Sequence, residues 1–236
     1  MSIAENIARV REQIANAATR AGRNPTDVSL MAVTKTVSPE RIREAYDEGV
    51  RRFGENRVQE FAGKLQALSD LNGAEWHMIG HLQSNKSRAA AELFQAVDSV
   101  DSLRLLQRLS SAAQERGKRI PVLIEINIGE ESAKSGLAAD SAELEHILTS
   151  APQHECVEIR GLMTVPPFSE DPEQSRPFFR RMRALKDRIA ARKLPNVNLN
   201  VLSMGMSQDF EVAIEEGSTC VRIGTALFGE RRTPPP

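Results

Sequence analysis

The sequence predicts a closed (β/α)8 barrel of the TIM type with one additional N-terminal helix, on three observations. Eight short apolar runs alternate with helical stretches over 236 residues, close to the ~250 residues such barrels use. Regular alternation makes each strand parallel to the last, because a helical crossover returns the chain in the same direction. No glycine-rich fingerprint follows the first run, where an open nucleotide-binding sheet would carry one; Thr36-Val37-Ser38-Pro39 is no such loop.

The opening helix places Ile3, Ile7, Val10 and Ile14 on one face and stops near Gly22-Arg23-Asn24-Pro25. The first strand, 28–35, is an uncharged run that ends on Lys35 and is followed by a turn and a helix start at Pro39. Further strands are expected at 52–55, 75–80, 96–100, 121–128, 157–165, 198–203 and 220–227. Helices are expected to begin near Arg57, Lys86, Leu103, Ser141, Pro172 and Ser207, with apolar stripes such as Phe178, Met182, Leu185 and Ile189. No Pro/Gly/Ser linker or shift in composition divides the chain, so a single domain over 1–230 is expected, with 231–236 as a short frayed tail.

A hydrophobic fraction of 40%, a formal net charge of −1 and a pI near 6.5 describe an ordinary globular chain without the basic excess of a nucleic-acid binder. The N-terminus lacks a basic-then-apolar signal and no uncharged stretch reaches the length of a membrane span. A cytoplasmic monomer, with no membrane or nucleic-acid partner, is expected. Cys156 and Cys220 have neither metal-ligand spacing nor the company of a disulfide framework, and read as structural thiols.

Functional groups of this fold collect at the C-terminal ends of the strands, which draws attention to Lys35. A lysine there is costly if charged and buried, and as a neutral amine it is the nucleophile that forms Schiff bases with carbonyls. The competing reading packs its stem on the strand and sends its head to water. Strands seven and eight end in Ser203, Gly205, Ser207, Gly224 and Thr225, small residues that permit backbone N–H groups to approach a phosphate, with Ser207 as a candidate helix cap. Asp209 and Glu211, in the first turn of that helix, are expected to face outward. Arg222 interrupts an apolar strand and needs an acceptor; Glu211, Glu215 or Glu216 would serve structurally, and a ligand's pyridine nitrogen would serve functionally. His77 and His81 sit near a strand end, where histidines are commonly hydrogen-bonded structural residues.

Six segments, in order, carry a family signature: Ala32-Val33-Thr34-Lys35-Thr36, Phe53-Gly54-Glu55-Asn56-Arg57-Val58-Gln59-Glu60, Trp76 through Lys86, Gly161-Leu162-Met163-Thr164, Leu202 through Ser207, and Val221 through Gly229. Together they resemble the pyridoxal phosphate homeostasis protein family, over nearly the whole chain. The resemblance implies a single-domain barrel like the N-terminal domain of alanine racemases, with pyridoxal 5'-phosphate held as a Schiff base on Lys35. It further implies phosphate contacts from Ser203, Ser207, Gly224 and Thr225, Asn56 beside the cofactor, Arg222 at the ring nitrogen, and Lys134 near the barrel mouth. No catalytic residue and no metal site are implied.

A cationic Arg222 at the ring nitrogen would oppose its protonation and weaken the ring as an electron sink. The single tyrosine, Tyr46, falls in the first barrel helix, expected to pack with Ile42, so an opposing acid/base group is missing. A carrier that buffers or delivers pyridoxal phosphate, with apo-enzymes as recipients, is therefore the leading reading. An amino-acid racemase-like enzyme using the cofactor, and a cofactor-free aldolase-type barrel using the same lysine, remain as alternatives.

Overall fold

A computed structural model describes residues 1–131 and 134–229. The tail expected at 231–236, together with residue 230, lies outside the described residues. The eight strands are β1 (Ser29–Val33), β2 (Arg52–Glu55), β3 (Glu75–Met78), β4 (Ala96–Val100), β5 (Ile120–Glu125), β6 (Val157–Met163), β7 (Val197–Ser203) and β8 (Cys220–Ile223). They form a closed parallel barrel in sequence order, and β8 pairs with β1 in a register that sets Ile223 opposite Ala32.

Around the barrel run α2 (Pro39–Asp47), α3 (Val58–Leu68), α4 (Ser87–Leu93), α5 (Leu103–Gln114), α6 (Ala142–Ser150), α7 (Arg176–Ala190) and α8 (Phe210–Glu215). The helix after β8, α9 (Thr225–Phe228), is a single turn. The added helix α1 (Ile3–Arg20) takes the place a full eighth crossover helix would occupy, packing against α2, α8 and α9. Ser2 and Glu5 close a reciprocal capping box at its start, and Ile3, Ile7, Val10 and Ile14 are all buried, as their spacing predicts. The Asn6 side-chain amide donates to Leu227 O at 3.0 Å, tying α1 to α9.

Apolar burial concentrates between the strands and the outer helices. Phe53 and Phe61 pack on Trp76, and Phe61 on Phe94, with ring centroids 4.8–4.9 Å apart, locking β2 and β3 to their helices. At Gly161 a side chain has no room: a Cβ would lie 1.9 Å from the Val201 carbonyl oxygen, so glycine lets β6 and β7 approach. Several strands end earlier than the sequence-based expectation: β1 at Val33 rather than 35, β3 at Met78 rather than 80 and β6 at Met163 rather than 165, with larger differences in β5 and β8. Strand eight stops at Ile223 rather than 227, because Thr225–Phe228 turns into helix, and strand five stops at Glu125, with Ile126 making only an isolated bridge to Leu137. Cys220 is buried, whereas Cys156 is partly exposed.

The N-terminal floor of the barrel holds a charged network. Arg52 donates to Glu75 at 2.8 Å, and His77 Nδ1 lies 3.1 Å from both Asp98 carboxylate oxygens. Burial pushes the His77 imidazole down, but the Asp98 charge and hydrogen bond, with the Glu75 carboxylate 3.9 Å from Nε2, outweigh it, raising His77 to about 9. A histidine raised in the fold contributes stability that is fully present below its unfolded value of ~6.5 and is lost as pH rises through the folded value. Between pH 6.5 and 9 the native protein should therefore lose on the order of 2 kcal/mol that a His77→Gln variant does not lose. Urea unfolding of both proteins at pH 6 and pH 9 measures the difference, and parallel pH profiles would contradict the pairing.

Candidate functional site

Lys35 lies two residues beyond β1, and its position is fixed by its neighbours. Thr34 is buried and donates through Oγ1 to Glu55 Oε1 at 2.7 Å, while the Thr36 backbone N–H donates to Glu60 Oε1 at 2.6 Å. Lys64 joins the two carboxylates, with Nζ 3.0 Å from Glu55 Oε1 and 2.7 Å from Glu60 Oε1, and it also donates to Thr34 O. Burial raises the Glu55 carboxyl above its ordinary range against the pull of Lys64 and Thr34, while Lys64 and the Thr36 N–H hold Glu60 below it despite burial. Thr36 takes a φ of 61°, a strained value for a branched residue that these bonds hold in place. With Thr34 and Thr36 anchored on the outer side, Lys35 between them is left to face the barrel mouth. The motif reading named Glu55 and Glu60 without a role; the four-residue step from Glu60 to Lys64 on one helix face was the available signal.

One cleft of about 1200 Å³ opens at this end of the barrel, larger than the ~300–1,000 Å³ typical of ligand pockets. Lys35, Ser207, Arg222, Gly224 and Thr225 line it together, along with Arg41 and Phe168. Ser203 reaches the site through Arg222 instead of lining the cleft. Asn56 also lies outside the lining, at the end of β2, where its backbone packs so closely on Gly80 that a Cβ there would sit 2.4 Å from Asn56 O.

Arg222 is almost fully buried, and its Nη1 and Nη2 donate to Ser203 Oγ and Thr164 O, each at 2.7 Å. The glutamates considered as structural partners are engaged elsewhere: Glu211 and Glu215 bind Arg20, and Glu215 and Glu216 bind Arg176. Among the described residues no carboxylate comes within ion-pair distance of Arg222. Burial lowers its pKa, opposed by the nearby carboxylates of Asp98, Glu125 and Asp209, yet an arginine stays protonated. A buried cation held only by neutral oxygens suits a ligand that brings an acceptor.

The loops after β7 and β8 are built differently from the expectation. Helix α8 starts at Phe210, so Ser207 does not cap it; Ser207 Oγ instead accepts from the Ala226 N–H at 3.2 Å, joining the β7 and β8 loops. Asp209 does not face outward: it is buried, and its carboxylate accepts the Met206 N–H at 2.7 Å, folding the loop on itself. Gly205, at φ 97°, is the residue the turn requires, since a Cβ would lie 2.6 Å from Ala213 Cβ.

The remaining candidates have structural partners. His77 is held by Asp98, and His81 Nδ1 is 2.9 Å from Asp101. Lys134 donates to Glu131 and to Pro166 O, and Lys86 to Gln59. Tyr46 packs against the apolar core and donates its hydroxyl to Asn72 O, and it does not line the cleft. Among the described residues no cluster of His, Cys, Asp and Glu could hold a metal, and no helix is long and apolar enough to cross a membrane.

Comparison with known proteins matches residues 5–232 to the alanine racemase N-terminal domain. A relative from Aquifex aeolicus (strain VF5) named pyridoxal phosphate homeostasis protein is 46% identical over 233 residues, covering 98% of this chain and 100% of its own. One of the same name from Escherichia coli (strain K12) is 44% identical over 232 residues, covering 97% of each. The solved structure of PipY from Synechococcus elongatus PCC7942, with PLP bound, superposes with a TM-score of 0.84 at 38% identity, over 97% of this chain and 100% of that one. An alanine racemase from Streptomyces coelicolor A3(2), at 20% identity and a TM-score of 0.71, shares the barrel over 98% of this chain but only 59% of its own length. With identity of this order along the full length of both chains, the protein belongs to the pyridoxal phosphate homeostasis protein family.

Proposed function

We propose that this protein binds pyridoxal 5'-phosphate, holds it as a Schiff base on Lys35, and buffers or delivers the cofactor in the cytoplasm without turning over amino acids. One domain, residues 1–230, carries this role, and the recipients are apo-enzymes that need the cofactor. The observation that carries the reading is Arg222, a buried cation on the wall of the cleft that Lys35 also lines, held among the described residues by the neutral oxygens of Ser203 and Thr164.

The residues present fit the group. Ser207, Gly224 and Thr225 offer hydroxyls and backbone N–H groups at a helix start, where the first N–H groups lack intrahelical acceptors. Lys35 offers the amine, and the unused N–H groups of Arg222 offer donors to a ring nitrogen. Ser203 belongs to the site by orienting Arg222, and Asn56 by shaping the β2 end. Bound there, pyridoxal phosphate supplies an aldehyde for a lysine and a ring that withdraws electrons best when its nitrogen is protonated. Arg222 disfavours that protonation by like-charge repulsion, where an acidic residue would favour it. His77, at the barrel floor, is held by Asp98 and His81, near the mouth, by Asp101, and the one tyrosine lies outside the cleft. This arrangement retains a cofactor better than it activates one, which agrees with the name its relatives carry.

Borohydride reduction of the loaded protein should fix the cofactor on Lys35, and Lys35→Ala should lose the label completely while remaining folded. Mass analysis that finds the label on Lys86 or Lys134 instead would reassign the site. Pyridoxal, lacking the phosphate, should bind on the order of 100-fold more weakly, since at least two charge-assisted hydrogen bonds of roughly 1.5–3 kcal/mol each are lost. Equal affinity in a titration would remove Ser207, Gly224 and Thr225 from the account. In heavy water the loaded protein should exchange amino-acid Cα protons no faster than free pyridoxal phosphate does. Rapid exchange that depends on Lys35 would make the protein a racemase-like enzyme.

A further inference from the structure

Across the barrel mouth from the loops after β7 and β8 lies a polar cluster that the cofactor reading does not use. Glu125 ends β5 and is only 9% exposed, yet its Oε2 has no hydrogen-bond partner among the described residues. Gly136, at φ 105°, packs over its stem, where a Cβ would lie 3.2 Å from Glu125 Cγ. Three charged groups act on the carboxyl: Asp101 beyond β4, His81 beyond β3, and Arg222 on β8. Val100 pairs with Ile124 and both pack in the outer core, so the register sets Asp101 beside Glu125 and strand alternation turns both toward the barrel interior. His81 and Asp101 are paired at 2.9 Å, with the histidine side chain 55% exposed.

A buried carboxyl oxygen without a donor is a standing cost. Burial first, then the Asp101 charge, push Glu125 up to about 7, while Arg222 and His81 pull the other way. The group therefore changes charge near neutral pH. A ligand suited to this place brings N–H donors and positive charge; a primary ammonium has three such donors and no acceptor. An anion would meet two carboxylates. Among the described residues no group of three or more His, Cys, Asp and Glu could hold a metal ion, this one included.

We propose that Glu125, with Asp101 and His81, forms an ammonium-binding subsite at the barrel mouth that receives the amino group of the compound taking the cofactor from Lys35. The assignment of that compound rests on the cofactor reading above, whereas ammonium binding itself does not. Ammonium binding favours the Glu125 carboxylate over the acid, so the Glu125 midpoint falls when the subsite fills.

The test uses the full chain without cofactor, its glutamate carboxyl carbons labelled and followed by NMR across pH 5 to 9. The Glu125 signal is the one absent from Glu125→Gln. Its midpoint should fall by about one unit or more in saturating methylammonium chloride and stay in place in potassium chloride of equal ionic strength. Should Glu125→Gln fail to fold, Asp101→Asn identifies the signal instead, as the one whose midpoint drops when the neighbouring charge is removed. A midpoint unmoved by methylammonium overturns the subsite. L-alanine moving the midpoint while Nα-acetyl-lysine does not assigns the ligand as an amino acid's α-ammonium; the reverse assigns a lysine side chain. On the loaded protein, the amine that moves the midpoint should speed cofactor release several-fold in wild type and not in Glu125→Gln. A midpoint that moves in a protein that takes up no pyridoxal phosphate would overturn the cofactor reading and keep the subsite.

Discussion

The site exists because the sheet closes. Pairing of β8 with β1 sets Ile223 opposite Ala32, and the Ser29 hydroxyl and N–H both reach Thr219 O at 2.9 Å across 190 residues of sequence. Only that closure brings Lys35, beyond the first strand, into the same cleft as Gly224 and Thr225, beyond the last. Contacts of such separation carry a large chain-entropy cost before they give any return. Helix α1 offsets part of it by burying Ile3, Ile7, Val10 and Ile14 over the seam against α2, α8 and α9.

Given closure, electrostatics divides the mouth into two halves. On one side stand Lys35 and Arg222 with hydroxyls and small residues suited to phosphate; on the other stand Glu125, Asp101 and His81. Arg222 connects the halves, since it lines the cleft and also pulls the Glu125 carboxyl toward its charged form. A second network, Glu55, Glu60 and Lys64, lies outside the barrel wall and fixes the backbone on both sides of Lys35. Lys35 is thus positioned by groups that do not line the cleft, which keeps its geometry independent of what the cleft holds.

The fold is legible in the sequence because it rests on local signals. Short apolar runs locate the eight strands and a period-3.6 pattern the opening helix, and Lys35 draws attention by its place at the end of the first run. What local pattern could not give was the partner of each polar group. The sequence offers Arg222 either glutamates or a ligand acceptor, and those glutamates bind Arg20 and Arg176; it offers Ser207 as a cap, whereas its Oγ accepts from Ala226. Strand eight was drawn too long because Thr225–Phe228 is apolar enough to continue a strand and becomes helical where the barrel ends.

The sequence by itself determined the element order, the parallel barrel and the strand ends at which chemistry would sit, since periodicity and turn residues act within a few positions of the chain. Tertiary structure alone decided that, among the described residues, Arg222 has no carboxylate within ion-pair distance and Glu125 is buried with an unpaired oxygen, and that Asp209 turns inward. The reason is physical: hydrogen-bond pairing and desolvation depend on distances of a few ångströms between strands far apart in sequence, and those distances are set by barrel closure and register.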